Sequence, residues 1–223
     1  MKISVKLVLV LMIATISVAA YSQKKVKPFK GIITYDITYE GEEIDAATMA
    51  QMPTEIIVSV LGDKVRNEQV SAFYSMAQIS DMGSGSAIVL LDAMGMKIAV
   101  KQSKEEIDEK MAEAEMEDPA IKFLDETKEI AGYTCKKAEV TSGENTIEVF
   151  YTDAIGVPKG MNDNTGFKGI EGVLMEYSIV QGDMIMIMTV REVKKGKVNK
   201  GMFLIPDDYD IKTAEELGGM LGG

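Results

Sequence analysis

The chain has 223 residues, with 24 Lys and Arg against 35 Asp and Glu, a net charge of −11. It has no His, no Trp and one Cys, which excludes Ser-His-Asp and Cys-His catalysis, His-ligated metal and an internal disulfide. The acidic balance argues against nucleic-acid binding, which needs a dense positive face, and the length suits one sizeable domain.

Residues 1–22 read as a secretory leader. Lys2 and Lys6 give the positive start, Leu7 to Ile16 is an apolar run, and small residues follow at Ser17, Ala19, Ala20 and Ser22. The apolar run is shorter than the roughly 20 residues that a spanning helix needs. The expectation is a protein of the periplasm or secreted medium, with no integral membrane segment once the leader is cut and one domain over 23–223.

Gly31–Glu40 places Ile33, Tyr35, Ile37 and Tyr39 on one face and Thr34, Asp36 and Thr38 on the other, the period of a half-buried strand. A short helix is expected within Ile44–Met52, stopped by Pro53. Glu55–Leu61 and Lys64–Val70 read as a hairpin across Gly62-Asp63, and Ser86–Asp92 and Met96–Gln102 as another around Ala93-Met94-Gly95. Between the hairpins, Ser71–Gly85 gives no clear period. Ser103–Glu117 is the clearest helix, with a Ser103/Glu106 capping box and Pro119 beyond its end. Its apolar stripe of Ile107, Met111 and Ala114 is narrow, as for a helix lying on a surface.

Strands are expected over Glu129–Thr141, Asn145–Asp153, Gly172–Val180, Met184–Lys194 and Gly201–Ile205. The loop Val157–Lys168 lies among them, and Thr213–Leu221 reads as a capped terminal helix. Hairpin after hairpin, without βαβ alternation, predicts an α+β chain that is mainly antiparallel β. Cys135, alone in a strand, suits a small buried hydrophobe.

Methionine is the unusual component, with 17 in the chain. In Met184-Ile185-Met186-Ile187-Met188 the methionines share one strand face, and Met175, Tyr177 and Ile179 share a face of the preceding strand. Flexible thioethers either line a cavity for a lipophilic ligand or replace Leu in a plain core. Tyr35, Ile37, Met175, Tyr177, Ile179, Met184, Met186 and Met188 are therefore the candidate pocket lining. The Met/Ile alternation does not have the spacing of a Cu(I) site, and Asn162-Asp163-Asn164-Thr165-Gly166 reads as a turn, since it lacks an EF-hand's trailing Glu. No carboxylate pair stands out for glycoside hydrolysis, and neither a catalytic residue nor a cofactor is expected.

Several segments form a familiar order: Phe29-Lys-Gly-Ile-Ile-Thr-Tyr35, Ile88-Val-Leu-Leu-Asp92, Lys128-Glu-Ile-Ala-Gly-Tyr-Thr-Cys-Lys-Lys137, Val149-Phe-Tyr-Thr152 and Phe203-Leu-Ile-Pro-Asp-Asp-Tyr209. In this order the chain resembles an exported bacterial family, the domain of unknown function 4412, which is similar in fold to the LolA/LolB lipoprotein carriers. The resemblance implies a curved sheet or incomplete barrel with short helices covering its concave face. It also implies a non-enzymatic protein that binds or carries a lipophilic ligand, with a lipid or a lipidated protein as partner. The alternative expectation is an envelope structural or interaction module with a filled core.

Overall fold

The computed structural model describes residues 26–41, 45–113, 118–143, 145–163 and 165–216. The expected leader lies outside the described residues, as do Ile44, 114–117 and 217–223 at the ends of expected helices.

The described residues form one sheet of twelve strands. In chain order they are β1 (Lys30–Gly41), β2 (Glu55–Leu61), β3 (Lys64–Val70), β4 (Tyr74–Asp81), β5 (Ser86–Ala93), β6 (Met96–Gln102), β7 (Ala120–Ile130), β8 (Tyr133–Ser142), β9 (Asn145–Thr152), β10 (Val173–Gln181), β11 (Met184–Lys195) and β12 (Asp210–Lys212). The spatial order is β12-β6-β5-β4-β3-β2-β1-β11-β10-β9-β8-β7, and every pairing is antiparallel except the short parallel β6–β12 contact. The sheet does not close, so the architecture is an incomplete barrel. Its curvature follows from its contacts. Side chains of β4 and β8 line one cleft, yet in a flat sheet these strands, seven steps apart, would be separated by about 34 Å.

The paired strands keep the expected alternation. Across β1, β11 and β10, Ile37 faces Met188 and Met188 faces Tyr177, while Tyr39, Met186 and Ile179 form the next rung. Residues opposite each other in a ladder share a face, so these side chains stand on the inner surface. A bulge opposite Thr34/Tyr35 leaves Arg191 outside the ladder. Its guanidinium reaches Asp36 (2.5 Å) and Glu55 (2.9 Å) on the outer surface.

Two expected elements are corrected. Glu129–Thr141 is not one strand but the end of β7, a tight turn and most of β8. Ala131 and Gly132 both have positive φ, 49° and 79°, as a two-residue hairpin turn demands, and an Ala in the first position hides that turn from sequence reading. Gly201–Ile205 is not a strand either: Lys200–Phe203 is a 3-10 turn capped by the Asn199 side chain. Its Phe203, with Val198, buries against Ala77, Ile79, Leu90 and Ala99, and the Arg66 guanidinium holds the Met202 carbonyl at 3.0 Å. The segment thus covers the outer face of β4–β6. Ser71–Gly85 contains β4, and Asp210–Lys212 forms β12; neither has a long apolar period of its own.

Helix α1 (Ala46–Met49) is capped by Asp45, and α2 (Lys104–Glu113) by the expected box, Ser103 N–H to Glu106 (2.7 Å) and Glu106 N–H to Ser103 Oγ (3.2 Å). The second carries the chain from β6, beside one edge, to β7 at the other. Neither helix buries a residue. Apolar residues of the β9–β10 connection, Ile155, Met161, Phe167 and Ile170, also pack on the inner face.

Candidate functional site: a cleft on the inner face

The inner face holds a cleft of about 560 Å³, within the size range of small-molecule sites. Its apolar lining comes from Tyr35 and Val58 of β1 and β2, Leu174 and Tyr177 of β10, and Val140 and Ile147 of β8 and β9. Asn67, Glu68 and Gln69 of β3 and Gln78 of β4 add polar groups beside them. Phe167 and Asn162 of the β9–β10 connection line the cleft as well.

Tyr177 is central. Its ring lies edge-on to Tyr35, with centroids 6.1 Å apart, and to Phe167, at 5.1 Å, arrangements favoured by the ring quadrupoles. Burial pushes its phenol up to about 12, so it is a hydrogen-bond donor throughout the neutral range. Burial raises Tyr35 well above its ordinary value too, with Tyr177 adding to the effect. The Tyr35 hydroxyl is already committed to the Leu174 carbonyl at 2.9 Å.

Asn162 anchors the loop. It is 4% exposed, and its Nδ2 donates to the carbonyls of Ile170 (2.8 Å) and Gly172 (3.0 Å). Gly172 has φ near 99°, and a Cβ there would fall 2.2 Å from the Thr152 carbonyl oxygen, so this end of the loop admits only glycine without strain. Within the stretch read as a turn, Thr165 N–H and Oγ both donate to the Asn162 carbonyl.

Of the candidate lining residues, the fold brings Tyr35, Tyr177 and Ile179 to the cleft. Ile37, Met175 and Met188 are instead buried in the cluster that contains Ile33 and Val190, where the thioethers fill space. Met186 packs against the same cluster, partly exposed, and Met184 is partly exposed where β11 begins. Neither borders the cleft. Val58, Val140, Ile147, Leu174, Phe167 and the three carboxamides were not foreseen. Alternation marked the inward residues of each strand, but nothing local states that β3 and β8 face each other. The one signal in the loop was the apolar pair Phe167 and Ile170 within a Gly/Asn-rich stretch.

Cys135 is buried and free; its thiol donates to the Tyr133 carbonyl, and burial raises its pKa. Its place in the core cluster is that of a small packing residue. No group of His, Cys, Asp or Glu with metal-ligand geometry occurs among the described residues. No helix among them is long and apolar enough to cross a membrane.

The sequence profile of a family described as "N-glycanase peptide, N-terminal domain" matches residues 33–203. The chain belongs to this family. Among solved structures it is similar to PNGF-II, with a TM-score of 0.55 and 19% identity, over 87% of this chain and 33% of that one. The chain thus spans about a third of the length of PNGF-II, and the N-glycanase-family likeness is one of fold. Weaker similarities are to a β-barrel-like protein of domain of unknown function 1849 from Brucella abortus (TM-score 0.37, 7% identity, 77% of this chain and all of that one). LprF from Mycobacterium bovis gives a TM-score of 0.33 and 10% identity, over 81% of this chain and 90% of that one. No curated protein sequence matches the chain.

Proposed function

We propose that this N-glycanase-family domain is an exported, non-enzymatic binding protein that takes the apolar chain of a lipid or lipidated protein into the inner-face cleft. The observation that carries this reading is the cleft itself, about 560 Å³, with Tyr35, Val58, Leu174, Phe167 and Tyr177 in its lining. Each methylene moved from water into such a wall contributes about 0.8 kcal/mol, so an acyl chain lying along it gains enough to hold. The resemblance of the sequence to the domain of unknown function 4412 and the LolA/LolB carriers supports the same reading. Titration of the purified protein with a fluorescent acyl lipid tests it. Saturable, one-site uptake is expected, and absence of uptake by a folded protein overturns it.

A second reading, a docking module, rests on the apolar turn tips Phe73 and Met94. Met94 is 91% exposed, and the Tyr74–Ala93 pairing puts both tips at one end of the sheet. Strand addition at β7 is not favoured, because Lys122, Asp125, Glu126, Lys128 and Glu129 and a bulge after Leu124 guard that edge. Crosslinking from Phe73 and Met94 in the native envelope separates the readings: a partner captured there while acyl lipid is refused favours docking.

A further inference from the structure

A second cleft, of about 480 Å³, adjoins the first. The two share Gln78, Ser142 and Gly166, so they form one groove with two lobes. The lobes differ in chemistry. No lysine or arginine lines the apolar lobe, whereas Lys104 and Lys110 of α2 and Lys159 and Lys168 of the β9–β10 connection line the second. Three carboxylates line it too, Asp108, Asp118 and Asp163. Two of these are occupied: Lys104 pairs with Asp108, and Lys168 with Asp118 at 2.7 Å. Lys110 and Lys159 form no ion pair among the described residues, although the Glu106 carboxylate lies one turn from Lys110 on α2 and Asp163 stands unpaired in the same lobe, and the two lysines come from separate segments that meet only through the fold. In a chain of net charge −11, a lobe with four lysines against three aspartates beside the apolar cleft is not the average surface.

We infer that the groove is built for an anionic amphiphile, its tail in the Tyr35–Tyr177 lobe and its acidic head at Lys110 and Lys159. The inference rests on the reading of the first lobe as a site for an apolar chain and adds the charge class of what is bound. A carboxylate or phosphate head reaching these ammonium groups is attracted and hydrogen-bonded. A neutral head gains neither, and a cationic one is repelled. Both lysines are exposed, so the attraction is moderate and screened by salt.

The experiment is displacement of Nile red, an uncharged apolar dye, from the full chain by three amphiphiles of one chain length: palmitate, hexadecanol and hexadecyltrimethylammonium. Palmitate is expected to bind about tenfold tighter than hexadecanol, with the advantage shrinking as salt is raised, and the cation weakest. Lys110→Glu with Lys159→Glu should lower palmitate affinity below that of hexadecanol while leaving hexadecanol unchanged. The milder Lys110→Gln with Lys159→Gln pair should bring palmitate to the affinity of hexadecanol and guards against a folding defect. Equal binding of palmitate and hexadecanol, or a palmitate affinity indifferent to both double variants, overturns the head-group assignment while leaving the apolar site standing. Tightest binding of the cation overturns it as well. If Nile red is neither bound nor displaced, the apolar site itself falls, and the head-group assignment with it.

Discussion

The hydroxyl of Tyr35 on β1 donates to the main-chain oxygen of Leu174 on β10 at 2.9 Å, passing over the intervening strand β11. It does so beside the irregularity between Leu174 and Glu176, where β10 slips against β9. A bulge leaves a main-chain group outside the ladder, and a buried carbonyl without a donor costs about 1–3 kcal/mol. One tyrosine thus gives a main-chain oxygen of β10 a donor and supplies part of the cleft's lining.

Tyr35→Phe keeps the ring and removes the donor. Urea unfolding is expected to show a loss of about 1–3 kcal/mol with an unchanged slope. A variant as stable as the parent would mean that the Leu174 carbonyl finds another donor.

Ile147→Trp places a large ring into the cleft from β9 at a partly exposed position. Acyl-probe affinity should fall at least about tenfold, equivalent to about 1.4 kcal/mol, with little change in thermal midpoint. Undiminished uptake would locate the ligand elsewhere.

Gly172→Ala tests the loop anchor. The φ near 99° and the 2.2 Å approach of a Cβ to the Thr152 carbonyl are expected to cost about 2–3 kcal/mol. Because Asn162 holds both Ile170 and Gly172, the strain should also loosen Phe167 and raise amide exchange across the β9–β10 connection. Parent-like exchange there would separate the loop from its glycine.

Alkaline titration follows from the buried phenols. The folded-state pKa of Tyr177, about 12, lies above the ordinary value of 10.0, so the native state holds its proton more tightly than the unfolded chain. Its stabilising contribution is complete below about pH 10 and is lost as pH rises through 12; Tyr35, also raised, acts in the same direction. Tyrosinate absorbance should therefore rise in two stages, the later coinciding with unfolding. A single early stage for every tyrosine would contradict the packing of Tyr177 between Tyr35 and Phe167.

Local spacing was enough for most strands and for the capping boxes, because both depend on neighbours in sequence. The hairpins at Gly62-Asp63 and Gly182-Asp183 announce themselves through glycine, whereas Ala131 in a left-handed conformation does not. The segment around Val198 and Phe203 carried apolar residues in no period because it is a cover and not a ladder.

By itself, the sequence determined the acidic charge, the antiparallel alternation and the absence of imidazole chemistry, all properties of composition and of residues a few positions apart. Only the tertiary structure decided which apolar faces border empty space. The sheet order β4-β3-β2-β1-β11-β10-β9-β8 bends Val58 and Asn67 round to Val140 and Ile147. The same bend turns Met175 and Met188 into filling and leaves Tyr35 and Tyr177 as wall. Burial depends on what arrives from distant parts of the chain, and a strand's own period records that one side is apolar without recording what will stand opposite it.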